Sequence, residues 1–210
     1  MKKYYLFFFT ALFVIILFLS FTVGRYPISI EILMKIFLSK VISIPQTWPE
    51  TLETIIFKVR LPRILGAIFI GASLSTSGGV YQGMFKNPLV SPDILGVSAG
   101  AAFGAALAIF LSMDIISIQI FSFVFGLVGV MLSYIIGTNI RENSSMGLVI
   151  TGVLIGSIFT SLTSLIKYVA DANDKLPTIT FWLMGSLSNI SLRDVLIISI
   201  PITAGMIPLY

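Results

Sequence analysis

The residue types that most often carry out chemistry in proteins are largely missing from this sequence. It has no cysteine and no histidine, which excludes thiolate nucleophiles, Ser-His dyads, HExxH zinc sites and histidine-ligated haem. An intramembrane aspartyl protease needs two aspartates inside the membrane, but the aspartates here stand at the edges of apolar runs: Asp93, Asp114, Asp171, Asp174 and Asp194. The sequence therefore predicts no enzyme, no metal site and no cofactor.

The sequence also lacks a site for an energy source. The motif GxxxxGK[ST], whose glycine-rich loop cradles ATP phosphates, does not occur in it. No apolar run has a charged residue at its centre, whereas carriers coupled to protons or sodium usually keep an ionisable group near the midplane. If the protein moves a solute actively, we expect a partner to supply the energy.

Composition indicates which elements must position any functional residues. The chain is 57% hydrophobic and only 10% charged, against about 25% charged residues in a soluble domain. A net charge of +4 is too small and scattered to indicate nucleic-acid binding. Because a spanning helix needs about 20 apolar residues, we predict an all-α, polytopic transmembrane helical bundle with five complete spans and a truncated or short sixth. These are residues 4–24, 64–85, 94–113, 115–140, 143–166 and 195–210.

Two boundaries of this pattern need interpretation. The first span follows Lys2 and Lys3 as a signal peptide would, but its apolar run is longer than usual and the cleavage site is poor, so we predict a retained helix. Between spans one and two, Ser29 and Thr51 are expected to cap two short amphipathic helices on the membrane interface. Pro62 is expected at the start of span two.

Small residues recur every fourth position in four of the predicted spans. This spacing places each set on one helical stripe, where small side chains let membrane helices approach closely. Tight packing is the simpler interpretation, and the alternative is that some stripes leave room for a substrate. The sets are Ala67, Gly71, Ser75 and Gly79; Gly96, Gly100, Gly104 and Ala108; Gly129, Ser133 and Gly137; and Gly152, Gly156, Thr160 and Ser164.

One series of motifs is more specific than these patterns. Arg60-Leu-Pro-Arg63 is followed by GASLSTSGG at 71–79, Gln82, KNPLVSPDILG at 86–96, Gly100-Ala101 and FWLMGS at 181–186. In order and spacing, the series strongly resembles the FecCD-type permeases of ABC importers for iron-siderophores, haem or cobalamin. The resemblance covers essentially the whole chain. It implies a multi-pass protein of the cytoplasmic membrane, with about six of the family's roughly ten spans present.

The resemblance also implies a domain organisation and roles for three groups of residues. Residues 1–210 would form a single transmembrane permease domain, apparently truncated in the sixth span. The binding protein would dock at Arg60 and Arg63, although both could instead snorkel to lipid headgroups. A cytoplasmic gate would be formed by Asn87, Leu89, Ser145 and Met146. The pathway would be lined partly by span five, around Gly152, Gly156 and Thr160.

The implied partners are a second permease copy or a sister permease, a cytoplasmic ABC ATPase, an extracytoplasmic substrate-binding protein and membrane lipid. The alternative is a transport-inactive membrane scaffold or assembly partner. The resemblance places the N-terminus in the cytoplasm, but most basic residues would then lie outside, contrary to the positive-inside rule. The sequence does not identify the substrate.

Overall fold

The computed structural model describes residues 2–43, 45–88, 90–140 and 144–209, and these residues form helices and loops. The chain divides into two compact units, Met1–Ser73 with Leu187–Tyr210 and Leu74–Ser186. The α-helices are α1 Lys2–Thr22, α2 Ile30–Ser39, α3 Glu50–Thr54, α4 Leu61–Phe85, α5 Val97–Phe110, α6 Ile115–Thr138, α7 Ser144–Val169, α8 Lys175–Met184 and α9 Leu192–Met206. A π-helical turn, Ile55–Arg60, joins α3 to α4, and 3-10 turns form at Pro92–Leu95 and Ile207–Leu209.

Three helices among the described residues are long and apolar enough to cross a membrane. They are Lys3–Thr22, Ile115–Thr138 and Met146–Val169, which correspond to the first, fourth and fifth predicted spans. The all-helical prediction is confirmed, but the continuous span predicted at 94–113 is wrong in its boundaries. Gly96 adopts a left-handed conformation with φ 74° and ends the 3-10 turn. Helix α5 then has only 14 residues, about 21 Å of helix against a hydrocarbon core of about 30 Å.

The first unit is built around the segment between α1 and α4. Leu33 and Ile36 of α2 are fully buried against Ile56 and Phe21. Ser29 caps α2 as predicted, since its side chain accepts a hydrogen bond from the Ile32 N–H at 3.4 Å. The predicted apolar face of α2 is thus confirmed, and the Glu31–Lys35 ion pair at 2.6 Å lies on the exposed side.

The predicted cap at Thr51 is wrong. Helix α3 begins at Glu50, and its cap position is the extended Pro49, two residues before Thr51. The loop before α3 is instead held by Trp48, whose Nε1–H donates to Glu53 Oε1 at 2.9 Å. Glu53 also accepts from the Lys40 ammonium at 2.6 Å. The bond from Lys40, followed by that from Trp48, lowers the pKa of the Glu53 carboxyl.

Helix α4 does not start at Pro62, because the helix runs from α3 through the π-helical turn into α4. Proline inside a helix removes one N–H donor and crowds the carbonyl four residues earlier. Here the Leu61 N–H donates to Ile56 O, five residues back. This wider turn lies directly before Pro62 and accommodates it.

In the second unit, the small residues predicted to allow close packing lie at the contacts among α5, α6 and α7. A Cβ on Gly100 would lie 2.4 Å from the Phe125 carbonyl oxygen, and one on Gly104 would lie 2.3 Å from that of Phe121. Only glycine allows α5 to approach α6 this closely. Ser133 of α6 is fully buried and its hydroxyl donates to Leu95 O at 3.0 Å. The packing prediction is thus confirmed for the glycines of α5 and α6 and for Gly152 of α7. Thr160 and Ser164 are exposed instead, as are all four residues of the span-two set, Ala67, Gly71, Ser75 and Gly79.

Candidate functional site: a groove along helix α7

A groove of about 520 Å³ runs along α7 in the second unit, and we call it the α7 groove. One side is formed by the 3-10 turn and the start of α5, with Asp93, Ile94, Gly96, Ser98 and Ala99. The other side is formed by α7, with Gly152, Val153, Gly156, Ser157, Thr160 and Ser161. The three residues predicted to line a pathway, Gly152, Gly156 and Thr160, thus share one groove.

Close contacts at Gly152 and Gly96 hold the 3-10 turn against α7 in the α7 groove. A Cβ on Gly152 would lie 1.9 Å from Ile94 O, so the 3-10 turn rests directly on the α7 backbone. A Cβ on Gly96 would lie 3.2 Å from the Gly156 backbone nitrogen, and its φ of 74° favours glycine in any case. The contact fixes where α5 begins relative to α7.

Two hydroxyl groups of α7 add polar oxygens to the lining of the groove, and both donate to carbonyls of their own helix. Ser157 Oγ donates to Val153 O at 2.8 Å, and Thr160 Oγ1 donates to Gly156 O at 2.8 Å. Both side chains are exposed in the groove. A hydroxyl bonded to the carbonyl four residues earlier is stable in an apolar helix, because its donor is satisfied locally.

Asp93 and Ser98 are members of this groove that the sequence reasoning missed. The Ser98 hydroxyl donates to the Asp93 carboxylate across the Gly96 break. The signal was present in the sequence, since Asp93 precedes a glycine that can end a turn and Ser98 lies in the first turn of the next helix. Among the described residues, no group of three or more His, Cys, Asp or Glu side chains is placed to hold a metal ion.

Two of the four residues predicted to form a cytoplasmic gate, Asn87 and Met146, are described in the second unit. The Asn87 N–H donates to Gln82 O at 3.2 Å, which turns the chain after α4. In the following loop, Val90 is buried with Leu95 against Leu148 and Val149 of α7. Met146 is 66% exposed in the first turn of α7. Leu89 and the side chain of Ser145 lie outside the described residues, and the gate stays a prediction.

The two arginines predicted to dock a binding protein have different surroundings in the first unit. Arg63 is exposed and donates to Ser188 O at 2.5 Å. Arg60 is only 9% exposed, and its guanidinium donates to the carbonyls of Phe21 and Tyr26. A partner would have to displace both bonds to reach the Arg60 guanidinium, so Arg63 is the better presented of the two.

Comparison with known families connects this arrangement to transport. The model of the FecCD transport family matches residues 12–210, which is nearly the whole chain. The chain belongs to the FecCD transport family. Membership makes it a multi-pass membrane protein.

Individual members of the FecCD family are similar over most of this chain. The molybdate import permease MolB of Haemophilus influenzae is 37% identical over 192 residues, covering 91% of this chain and 56% of MolB. A Helicobacter pylori protein described as a probable iron chelatin transport system permease is 40% identical over 161 residues. The match covers 77% of this chain and 48% of that protein. The cobalamin import permease BtuC of Halobacterium salinarum is 37% identical, covering 70% and 40%.

A solved FecCD-like structure supports the same fold. It is described as an inward-facing ABC transporter of the metal-chelate type and matches with a TM-score of 0.80 at 35% identity. The match covers 96% of this chain and 59% of the solved chain. This chain therefore spans about half the length of the relatives that it matches.

Proposed function

We propose that this chain forms the membrane-spanning part of a permease subunit in a binding-protein-dependent ABC importer. The observation that carries the proposal is the FecCD family match over residues 12–210. The α7 groove supports it, because a polar, small-residue groove beside a membrane-spanning helix is the kind of surface that a translocation pathway needs. The complete permease is expected to have about ten spans, of which this chain supplies about six.

We propose an iron-siderophore, haem or cobalamin-like molecule as the substrate. Relatives named for iron chelatin and cobalamin support this class, whereas MolB is named for molybdate. Among the described residues, the lining of the α7 groove includes the carboxylate of Asp93 and no lysine or arginine. Such a lining disfavours a bare oxyanion.

The proposed partners follow from the same mechanism. A second permease copy or a sister permease would complete the pathway, and a cytoplasmic ABC ATPase would supply the energy. An extracytoplasmic binding protein would deliver the substrate, with Arg63 as the exposed candidate contact. The predicted gate residues Asn87, Leu89, Ser145 and Met146 would close the cytoplasmic end.

Uptake into proteoliposomes tests this function. The chain is reconstituted with its cognate ATPase and binding protein, and the accumulation of a labelled iron-siderophore, haem, cobalamin and molybdate is measured. We expect ATP-dependent uptake of one chelate that disappears when the chain is omitted. Uptake of molybdate alone would refute the substrate class. Assembly with the ATPase but no uptake of any substrate would favour the alternative, a transport-inactive scaffold, which the half-length match to relatives keeps open.

The pathway assignment makes a separate prediction that uses the absence of cysteine from the chain. A cysteine replacing Ser157 in the α7 groove is expected to react rapidly with a charged, water-soluble thiol reagent, because a pathway admits water. A cysteine replacing Ile158, which is 55% exposed on the adjacent face of α7, is the matched control and is expected to react at least several-fold more slowly. Equal labelling rates in the assembled permease would remove the α7 groove from the pathway.

A further inference from the structure

A second groove, in the first unit, has a lining of the opposite kind. It has a volume of about 450 Å³ and lies among α1, α2 and the first turns of α4. Every side chain that lines it is apolar, including Phe18 of α1, Met34 of α2 and Ile64, Leu65 and Ile68 of α4. We call it the α1–α4 groove.

Two of the aromatic rings that line the α1–α4 groove, Phe21 and Phe37, pack against each other. Phe21 is 6% exposed and meets Phe37 edge to face, with ring centroids 5.5 Å apart. Phe37 in turn meets Phe57 at 5.8 Å. Edge-to-face pairs of this kind add to the stability of burial, and Phe21 belongs to the buried cluster around Leu33 and Ile36. The groove is therefore a preformed feature of the first unit.

The chemistry of the groove restricts what can occupy it. A bound water needs two to four polar partners, and the lining residues offer none from their side chains. A preformed apolar site stays free of water but accepts an apolar ligand of matching shape. The groove continues the apolar surface of α1, where Phe13 is 51% and Phe18 is 48% exposed. This helix is long and apolar enough to cross the membrane, so the groove opens onto lipid.

Helix α2 indicates the orientation of the occupant. Its inward face, with Leu33 and Ile36, packs on the buried cluster, while Glu31 and Lys35 pair on its exposed side. Since α1 is long and apolar enough to cross a membrane and α2 follows its end, we expect the charged pair of α2 at the level of the lipid headgroups. The α1–α4 groove is lined by Met34 and Phe37 of α2 and by α4 residues as far as Ile68, so an acyl chain in it would extend from the level of α2 along α4.

We propose that the α1–α4 groove holds one acyl chain of a membrane phospholipid as a bound lipid. Close packing against a shaped apolar wall gives a chain more dispersion contacts than the smooth side of a helix does. The bound chain exchanges more slowly than lipid on the rest of α1. The proposal needs only the membrane location of the chain and is independent of the transport proposal.

Photolabelling tests the occupant directly. The purified chain is reconstituted in phosphatidylcholine vesicles that contain a phosphatidylcholine with a diazirine near the end of one acyl chain. After irradiation, adducts are located by peptide mass spectrometry. We expect several-fold more adduct on Phe18 and Ile68 than on Phe13, which matches Phe18 in exposure. Equal yields on Phe13 and Phe18 would overturn the proposal. A groove without adducts beside a labelled Phe13 would also overturn it and would indicate a protein segment as the occupant.

Variants that fill the groove provide the second part of the test. Leu65→Trp and Ile68→Trp place a large ring in the space of the acyl chain and are expected to lower the Phe18 adduct several-fold, with Phe13 labelling unchanged. Leu74→Trp, at a position that is 56% exposed and outside the groove, is the matched control and is expected to change neither. Circular dichroism confirms the helix content of each variant. Unchanged Phe18 labelling in a folded groove variant would refute the proposal.

Discussion

Replacing Arg60 by alanine is expected to destabilise the first unit strongly. The Phe21 carbonyl lies in the last turn of α1, where carbonyls have no partner within the helix, and the Arg60 guanidinium donates to it and to Tyr26 O. The Phe21 carbonyl is a buried acceptor, and losing its donor costs about 1–3 kcal/mol. Tyr26 is 63% exposed, so its carbonyl can bond to water instead. Arg60→Lys is expected to restore only part of the loss, because one ammonium cannot match the planar fork of a guanidinium. Thermal unfolding of the purified chain measures the effect.

Arg63→Ala is the matched control for this experiment. Arg63 is exposed and its substitution is expected to change stability by about 0.5 kcal/mol or less. If Arg63 contacts the binding protein, this variant lowers the affinity for that protein while the unfolding temperature stays the same. A stable Arg60→Ala variant that loses binding-protein affinity would contradict the structural role and support the docking role implied by the resemblance.

Gly152→Ala is expected to be the most damaging small substitution in the second unit. The new Cβ would lie 1.9 Å from Ile94 O, and a backbone carbonyl cannot move away as a flexible side chain can. Overpacking of this kind costs about 1–3 kcal/mol. The 3-10 turn would have to move off α7, which would displace Asp93 and Ser98 from the α7 groove. The unfolding temperature and the rate of uptake are both expected to fall.

Gly156→Ala, one turn further along α7, is the control for this prediction. Its Cβ would meet only Gly96 Cα at 3.7 Å and Ala99 Cβ at 3.9 Å, which are ordinary contacts. Stability is therefore expected to be unchanged or slightly higher, since alanine favours a helix over glycine by about 1 kcal/mol. Equal unfolding temperatures for the Gly152→Ala and Gly156→Ala variants would show that the turn does not rest on α7 in this way.

Sequence reasoning predicted the apolar helices and the close packing of α5 on α6, whereas the predicted stripe of span two is exposed. Ser29 lies before a clear amphipathic pattern, so both the cap and the buried face of α2 followed from local rules. Gly100 and Gly104 repeat at four-residue spacing on a helix without charge, and close packing in lipid has few other solutions. Four-residue spacing placed Gly152, Gly156 and Thr160 on one stripe with Ser164, and the family resemblance then assigned these three to the pathway.

The features that sequence reasoning did not predict depend on contacts between distant segments. Gly96 continues the four-residue series of Gly100 and Gly104, yet it ends a turn instead of joining α5, because the turn packs on Gly152 and Gly156. Pro62 is typical of a helix start. The π-helical turn before it is what allows the helix to continue through the proline. Arg60 reads as an exposed interface residue, since nothing local indicates its bonds to Phe21 and Tyr26.

The hydroxyls of α7 have a consequence for how long a solute stays beside them. The hydroxyls of Ser157 and Thr160 donate their hydrogen bonds to carbonyls of their own helix, so each oxygen can only accept a hydrogen bond from a solute. A bond to such an oxygen is worth about 1 kcal/mol net, which is a factor of about five in lifetime at room temperature. In the proposed pathway, contacts as weak as these would let a solute leave Ser157 and Thr160 quickly.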